Sequence, residues 1–258
     1  MIENKKNINY FFIFSILSMS IINYSNIFAS EIKQAGVEYI VPAAGKITVD
    51  GDLKDWNKSG KVGPVTFDEE SIEEYNTTFY AMYDKENLYV AAVIVEPHPP
   101  YNTNPLKGVG SWGGDAVCFR MSSDPTFSLP LQGLGIGQKK CDALFTASLW
   151  HNHLDKKDYW EGYYSIEASY KVTDYTGSEV KTLIHTENNG YTLEAKIPWK
   201  IINPKFQPKQ GDRIALTWEV SIANMNPSEP KRAFQIFGNG GGARAFSDPN
   251  PWGIAEFK

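Results

Sequence analysis

The chain contains few of the residues and motifs that enzymes use for chemistry. Its 258 residues include two cysteines and four histidines, with no Gly-x-Ser-x-Gly motif and no phosphate-binding loop. His151 and His153 alternate along one segment, but no third metal ligand follows at matching spacing. The sequence also lacks a Cys-x-x-Cys-His motif, which excludes covalently attached haem. We therefore predict that the protein is not an enzyme.

The chain also carries no net positive charge. The formal net charge is −5 at pH 7. Loss of the first thirty residues would remove Lys5, Lys6 and Glu3 and bring the charge to about −6. An acidic domain is poorly suited to bind nucleic acid or an anionic membrane surface, so neither is expected as a partner.

No apolar run is long enough to cross a bilayer, which takes roughly 20 residues. Lys5 and Lys6 precede an apolar run over 10–22, and the small residues Ala29 and Ser30 follow. This order predicts a secretory signal peptide over 1–30 and one exported domain over 31–258, secreted or periplasmic and free of the membrane after cleavage. A retained membrane anchor is the alternative.

The two cysteines leave two alternatives open. Cys118 and Cys141 each lie in an apolar stretch of β type, separated by a segment rich in Gly and Pro. In an exported protein such a pair can form a disulfide that closes the intervening loop. Two buried free thiols are the other possibility.

Apolar runs broken by Gly, Pro, Asn and Asp predict an all-β fold. Apolar and polar residues alternate with a period of two over 191–197 and 213–220, as expected for strands with one buried face. We predict strands near 37–42, 46–49, 76–83, 88–95, 115–121, 143–150, 162–170, 180–187, 191–197, 213–222, 232–237 and 252–257. Short helices are predicted over 53–56 and 199–202, and long loops over 122–140 and 238–251. The fold class is an antiparallel β-sandwich, jelly-roll-like, in a single domain.

Aromatic residues are plentiful, at 14% of the chain. Flat rings in loops can stack on the C–H face of a sugar, a contact worth about 0.5–1.5 kcal/mol beyond area burial. Trp112 is followed by two glycines, and Trp150 ends a predicted strand, whereas Trp160 falls in a predicted polar loop. Four other tryptophans lie within apolar patterns and are predicted to be core: Trp56, Trp199, Trp218 and Trp252.

Paired carboxylates occur in predicted turns, as at Asp50 and Asp52. Such pairs more often hold the backbone or a structural calcium ion than perform acid–base catalysis. Structural calcium is therefore possible, and no other cofactor is expected.

Several motifs together resemble the family 9 carbohydrate-binding modules of the DOMON-like superfamily. They are Ile-Thr-Val-Asp-Gly-Asp-Leu-Lys-Asp-Trp over 47–56, Asp-Lys-Glu-Asn-Leu-Tyr-Val over 84–90, Ser-Trp-Gly-Gly-Asp-Ala-Val over 111–117 and Asp-Pro-Asn-Pro-Trp-Gly over 248–253. Those modules are β-sandwich domains of secreted bacterial enzymes. The resemblance implies an exported, non-catalytic domain that binds an oligo- or polysaccharide and serves glycan breakdown, with a glycan-degrading enzyme acting in trans.

The resemblance also implies a binding site. Sugar-binding members hold a terminal sugar between two tryptophans, and Trp112 falls on the first of these, Phe237 on the second. Phe246 matches a further aromatic, and Trp150 is a predicted neighbour. The polar part departs from the family, because Cys118 replaces a Glu and Thr146 replaces an Arg.

Two alternatives compete with sugar binding. The chain resembles, more distantly, the haem b-binding gamma subunits of ethylbenzene dehydrogenase-like complexes, which bind iron through a Met and a Lys. Met121 with Lys181 or Lys196 would be the corresponding pair. The second alternative is an envelope interaction domain without a small ligand.

Overall fold

The computed structural model describes residues 38–66, 73–103, 113–124, 140–165, 169–185, 190–224, 231–237 and 252–258, with residues 224 and 231–237 described by their backbone alone. Within these ranges nearly all of the regular secondary structure is β-strand. The strands are β1 (Tyr39–Val41), β2 (Val62–Val65), β3 (Asn76–Tyr83), β4 (Asn87–Val95), β5 (Ala116–Ser122), β6 (Leu144–Asn152), β7 (Lys157–Tyr163), β8 (Glu179–Ile184), β9 (Tyr191–Pro198), β10 (Arg213–Asn224), β11 (Lys231–Phe237) and β12 (Gly253–Phe257). The predicted short helices are confirmed as a 3-10 turn (Leu53–Asp55) and helix α1 (Trp199–Ile202), and a second 3-10 turn covers Lys58–Gly60.

These strands form two sheets that pack as a sandwich, which confirms the predicted fold class. The smaller, five-stranded sheet has the order β2-β3-β4-β9-β8. The larger, seven-stranded sheet has the order β1-β12-β10-β5-β6-β7, with β11 as a further partner of β10. Strand β10 is long enough to pair with β12 along its first half and with β11 along its second half. All pairs are antiparallel except β1 with β12, which is parallel. The larger sheet is therefore mixed rather than purely antiparallel.

Alternating residues from both sheets fill the space between them. Phe79 on β3 and Trp218 on β10 stack across this interior with ring centroids 5.1 Å apart. The predicted core tryptophans, Trp56, Trp199, Trp218 and Trp252, are all buried. Trp160 is also buried in this core, so its predicted place in a polar loop is wrong.

A second, smaller cluster covers part of the outer face of the five-stranded sheet. Leu53 and Trp56, from the segment between β1 and β2, pack there against side chains of β3 and β4. The Trp56 ring meets Tyr80 edge-on at 6.4 Å. Burial of these two side chains, rather than strand pairing, thus helps to hold the segment between β1 and β2 against the sheet.

Both cysteines are free thiols. Cys118 lies opposite Ser148 in the β5–β6 register, whereas Cys141 precedes Ser148 by seven residues along the chain. β6 begins only at Leu144, which pairs with Ser122, four residues along β5 from Cys118, and Cys141 lies beyond it in a turn. At about 3.3 Å per residue those four residues alone span roughly 13 Å, whereas a disulfide needs Cα atoms within about 7 Å. The structure therefore favours the free-thiol alternative.

In the described part of the chain no helix has the length and apolar character needed to cross a bilayer. The predicted signal peptide and its cleavage site lie outside the described residues.

Candidate functional site

The outer face of the seven-stranded sheet, on the side away from the sandwich interior, is polar. On β5, β6 and β10, every second residue packs in the interior, so the residues between them form this outer face. Its buried polar members on the four neighbouring strands include Cys118, Arg120, Thr146, Ser148, Glu161, Tyr163, Thr217, Glu219 and Ser221. A polar outer face that is nonetheless buried is the strongest candidate for a site in the described residues.

Strand register arranges these side chains in two adjacent rows. Directly paired residues of neighbouring strands share a face of the sheet. One row runs across four strands through Glu219, Cys118, Ser148 and Glu161. The next row runs through Thr217, Arg120, Thr146 and Tyr163. The outer face therefore offers both hydrogen-bond donors and acceptors at strand spacing.

Two ion pairs neutralise the charges of this outer face. Arg120 Nη1 donates to Glu219 Oε2 at 2.8 Å. At the other edge, Lys171 Nζ lies 2.7 Å from Glu161 Oε1, and the Tyr163 hydroxyl also donates to Glu161. Burial, followed by this hydrogen bond, raises the pKa of Tyr163 far above its ordinary value. A buried ion pair adds little net stability compared with apolar residues of similar volume, so stability alone does not account for Arg120–Glu219.

The ion pair Arg120–Glu219 adjoins the two positions where the sequence departs from the family. Cys118 stands opposite Glu219, and Thr146 stands opposite Arg120. A carboxylate and a guanidinium are thus present on this face, one strand away from the positions that the resemblance implies. Sequence reasoning missed both, although each is a charged residue at an outward position of a strand whose inward residues are apolar.

Of the predicted ligand-binding residues, Phe237 is placed only by its backbone. It lies at the end of β11, opposite Glu219 in the β10–β11 register. Its strand position therefore continues the row that contains Glu219 and Cys118. Trp112 and Phe246 lie outside the described residues, so their roles stay predictions.

Residues 113–115, which follow Trp112 and precede β5, are fixed by bonds to Tyr101 and Asn102, and we call these five residues the rim. Gly114 pairs with Asn102 in an isolated bridge, and Asp115 N donates to Tyr101 O at 2.9 Å. Gly114 has φ +139°, and a Cβ there would lie 2.0 Å from Tyr101 O. Only glycine fits this close approach, which explains one of the two glycines of the Trp112 motif.

Trp150 lies on the outer face of β6 but is fully buried. It stacks on Tyr159 of β7 with ring centroids 5.7 Å apart and an interplanar angle of 26°. A platform for a sugar must leave one ring face free, so this packing argues against such a role for Trp150.

The two alternating histidines are engaged separately. His151 Nδ1 lies 2.8 Å from Asp158 Oδ1, while the His153 ring stacks on Tyr101 at 4.1 Å. They are not among the residues that the structure brings together as a metal-ligand group, within the part of the chain that it describes.

The residues considered for haem do not fit one iron. Met121 packs in the interior between the sheets. Lys196 forms an ion pair with Glu179, and Lys181 pairs in register with Glu194, both on the outer side of the five-stranded sheet. A sheet thus separates Met121 from either lysine, so no axial pair can form.

Comparison with known proteins agrees with this fold. A family model described as "Carbohydrate family 9 binding domain-like" matches residues 151–258. No curated protein matches the chain.

Three solved structures share the architecture. Two are a family 9 carbohydrate-binding module from Caldicellulosiruptor kristjanssonii, one in complex with glucose (17% identity) and one with cellotriose (18% identity), each with a TM-score of 0.56. The matches cover 85% of this chain and 95% and 93% of those chains. The third is a putative carbohydrate-binding protein from Bacteroides uniformis, with 10% identity, a TM-score of 0.55 and coverage of 85% and 97%. At these identities the likeness concerns the fold.

Proposed function

We propose that this chain is an exported, non-catalytic domain that binds carbohydrate beside the polar outer face of the seven-stranded sheet. Trp112, Phe237 and Phe246 would supply the stacking rings. The observation that carries the proposal is the register that puts Phe237 in one row with Glu219 and Cys118, on a sandwich of the fold found in the sugar complexes.

A sugar needs two kinds of contact, and the chain offers both. Its C–H face stacks on aromatic rings, and its hydroxyl groups need fixed donors and acceptors. Arg120 and Glu219 hold each other in place at 2.8 Å but are both buried, so a sugar hydroxyl group would meet this preoriented donor and acceptor only if the residues that cover them move aside. Phe offers a smaller face than Trp, and we therefore expect a Kd on the order of 0.1–1 mM.

The proposed ligand class is a β-linked glucan or its terminal glucose. The structures of similar fold were obtained with glucose and cellotriose, which supports this class. Cys118 and Thr146 lack the charge that the family implies at their positions, so discrimination among sugars is expected to differ from that of those modules. A glycan-degrading enzyme acting in trans would hydrolyse the glycan that this domain binds.

The test is the loss of binding on Trp112→Ala. Calorimetric titration with glucose and cellotriose, with a glycan array for other sugars, should show binding by the unaltered protein. The substitution should cost at least about 1 kcal/mol, roughly a fivefold rise in Kd, with little change in the urea midpoint. Tyr170→Ala is the matched control, because Tyr170 is an exposed aromatic residue that the proposal does not assign to the site.

Two results would contradict the proposal. One is the absence of binding to any glycan by the unaltered protein. The other is a Trp112→Ala protein that is strongly destabilised but whose folded fraction binds as the unaltered protein does. Trp112 would then be a core residue, and the site would lie elsewhere.

A further inference from the structure

A compact group of three potential metal ligands lies where β4 ends and β5 begins. Glu96 directly follows β4, His98 comes two residues later, and Asp115 directly precedes β5. One ligand atom from each of these residues lies within 4.8 Å of the other two. The three residues come from two chain segments that only the fold brings together.

Asp115 is held rigidly by backbone donors. Its Oδ1 accepts from Ala223 N and its Oδ2 accepts from Tyr101 N, each at 2.5 Å. The Asn102 side chain fixes the same residue by donating to the Asp115 carbonyl oxygen at 3.0 Å. Each carboxylate oxygen has two lone pairs, so both retain capacity for one more partner.

The burial of the Glu96 carboxylate without a hydrogen bond is the observation that points to a ligand. Glu96 is 1% exposed, and neither carboxylate oxygen accepts a hydrogen bond from any residue that the structure describes. Its near polar neighbours are His98 Nδ1, 3.5 Å from Glu96 Oε2, and the Asp115 carboxyl group, to which Glu96 can donate only if it is protonated. A buried carboxylate without hydrogen bonds is costly, by several kcal/mol in general terms, unless something neutralises it.

The surroundings add negative rather than positive charge. Burial raises the pKa of Glu96, and the neighbouring Asp115 raises it further. Burial also raises the pKa of Asp115, against the lowering effect of its backbone donors. The Tyr191 hydroxyl is buried without a hydrogen-bond partner, and its pKa is raised by burial and then by Asp115 and Glu96. Among the described residues no Lys or Arg pairs with either carboxylate.

We propose that Glu96, His98 and Asp115 bind a divalent cation. The ion would supply the positive charge that the two carboxylates lack and the partner that Glu96 lacks. Carboxylates alone suit Ca²⁺ or Mg²⁺, whereas an imidazole ligand suits first-row transition metals. The mixed oxygen–nitrogen set therefore favours Zn²⁺ or Mn²⁺ over Ca²⁺.

Such an ion would brace the rim beside Trp112. It would join the end of β4 to the start of β5, and through the bond from Ala223 it would also join β10. Gly114, next to Asp115, is already held against Tyr101 and Asn102. This site is distinct from the stacking residues, so cation binding is expected whether or not the protein binds sugar.

The test measures cation binding by the full chain after removal of metals with a chelator. Titration calorimetry and thermal melting would be performed with Zn²⁺, Mn²⁺ and Ca²⁺ separately. We expect one ion per chain, a rise in melting temperature on its addition, and tighter binding of Zn²⁺ or Mn²⁺ than of Ca²⁺. Glu96→Gln and His98→Ala should each weaken binding at least tenfold.

Glu179→Gln is the matched control, since Glu179 lies on β8 and forms an ion pair with Lys196. It should bind the cation as the unaltered protein does. The proposal is overturned if the unaltered protein binds none of the three ions, in which case the carboxyl groups share a proton. Binding undiminished in both Glu96→Gln and His98→Ala would also overturn it. His98→Ala keeps the test valid if Glu96→Gln does not fold.

Discussion

Glu194 shows how single buried polar residues join distant parts of this chain. Its Oε1 accepts from Trp56 Nε1 at 2.8 Å, and its Oε2 accepts from the backbone N–H groups of Asp50 and Gly51 at 2.9 and 2.8 Å. Gly51 has φ +86°, and a Cβ there would lie 2.7 Å from the Leu183 Cβ. The Val-Asp-Gly motif and the tryptophan that follows it are therefore structural, since together they hold the N-terminal segment on β9.

Asp84 plays a similar part in the polar turn between β3 and β4. Its Oδ1 accepts from Glu86 N and Asn87 N at 2.7 Å, and its Oδ2 accepts from the Tyr89 hydroxyl at 2.8 Å. Burial alone would raise the pKa of Asp84, but these hydrogen bonds outweigh it and hold the pKa below its ordinary value.

We expect the Asp84 carboxylate to contribute stability that depends on pH. Because its pKa is lowered on folding, the contribution is complete above the unfolded pKa of about 4 and is lost as pH falls through the folded value. Asp84→Asn should lower the free energy of unfolding by about 1 kcal/mol at pH 7, and the difference should shrink below about pH 4. Urea unfolding at a series of pH values measures both.

Asp142→Asn provides the control for this prediction, because Asp142 is exposed and contacts only Lys205, at 3.4 Å, among the described ion pairs. It should change stability little at any pH. A difference between Asp84→Asn and the unaltered protein that stays constant down to pH 2 would contradict the proposed role of the charge.

At the scale of strands, the sequence predicted correctly those that show either regular apolar–polar alternation or a continuous apolar run. Regular alternation located β9 and β10, and continuous apolar runs located β3 and β4 within a residue or two. Strand β2 was missed because Gly63 and Pro64 interrupt it. It lies at the edge of its sheet, where a proline needs no partner for a missing N–H.

Two other strand predictions failed for reasons of packing. Residues 46–49 form no strand, because Ile47 packs against the cluster on the five-stranded sheet without strand pairing. The strand predicted over 162–170 instead covers Lys157–Tyr163, since a tight turn at 153–156 returns the chain directly from β6. Lys156 adopts φ 59° in that turn, which the sequence does not signal.

The candidate sites show the same limit more strongly. Local motifs pointed to Trp112 and to the aromatic residues of later loops. They could not point to Arg120 with Glu219, or to Glu96 with Asp115, because those pairs depend on which strands become neighbours. Periodicity predicts the face of a strand, and register then decides what shares that face.

The separation of Cys118 on β5 from Cys141 in the turn before β6 leads to a prediction about reactivity. Thiol titration of the unfolded, unreduced protein should find two thiols per chain. In the folded protein Cys141 should react faster, because Cys118 is 2% exposed and donates to Ser148 Oγ at 3.4 Å. Cys141→Ser should leave one slow thiol, and Cys118→Ser one fast thiol. Finding no free thiol in the unfolded protein would contradict the separation of the two cysteines.

In the molecule as a whole, the two outer faces of the sandwich differ. The five-stranded sheet carries the N-terminal segment on part of its outer face, through Leu53 and Trp56. The outer face of the seven-stranded sheet carries the paired polar residues and adjoins the rim at Gly114. This asymmetry favours the larger sheet as the side on which a ligand is bound.

Export of the whole chain remains a prediction from its first thirty residues. We expect the protein isolated from its native source to begin after Ala29 or Ser30, since Lys5 and Lys6 with the apolar run that follows are typical of a cleaved signal. Intact-mass spectrometry measures this directly. A native protein that retains Met1 would contradict export by cleavage and favour the anchored alternative.

The parallel pairing of β1 with β12 has a consequence for the order in which the molecule assembles. Tyr39, Ile40 and Val41 pair in register with Ala255, Glu256 and Phe257, which follow them by more than two hundred positions. A ribosome releases β1 long before β12, so β1 waits for its partner in the sheet. Until β12 emerges, β10 also lacks its neighbour along its first half. Loss of β12 would therefore leave open strand edges on both β1 and β10, and such edges recruit other chains.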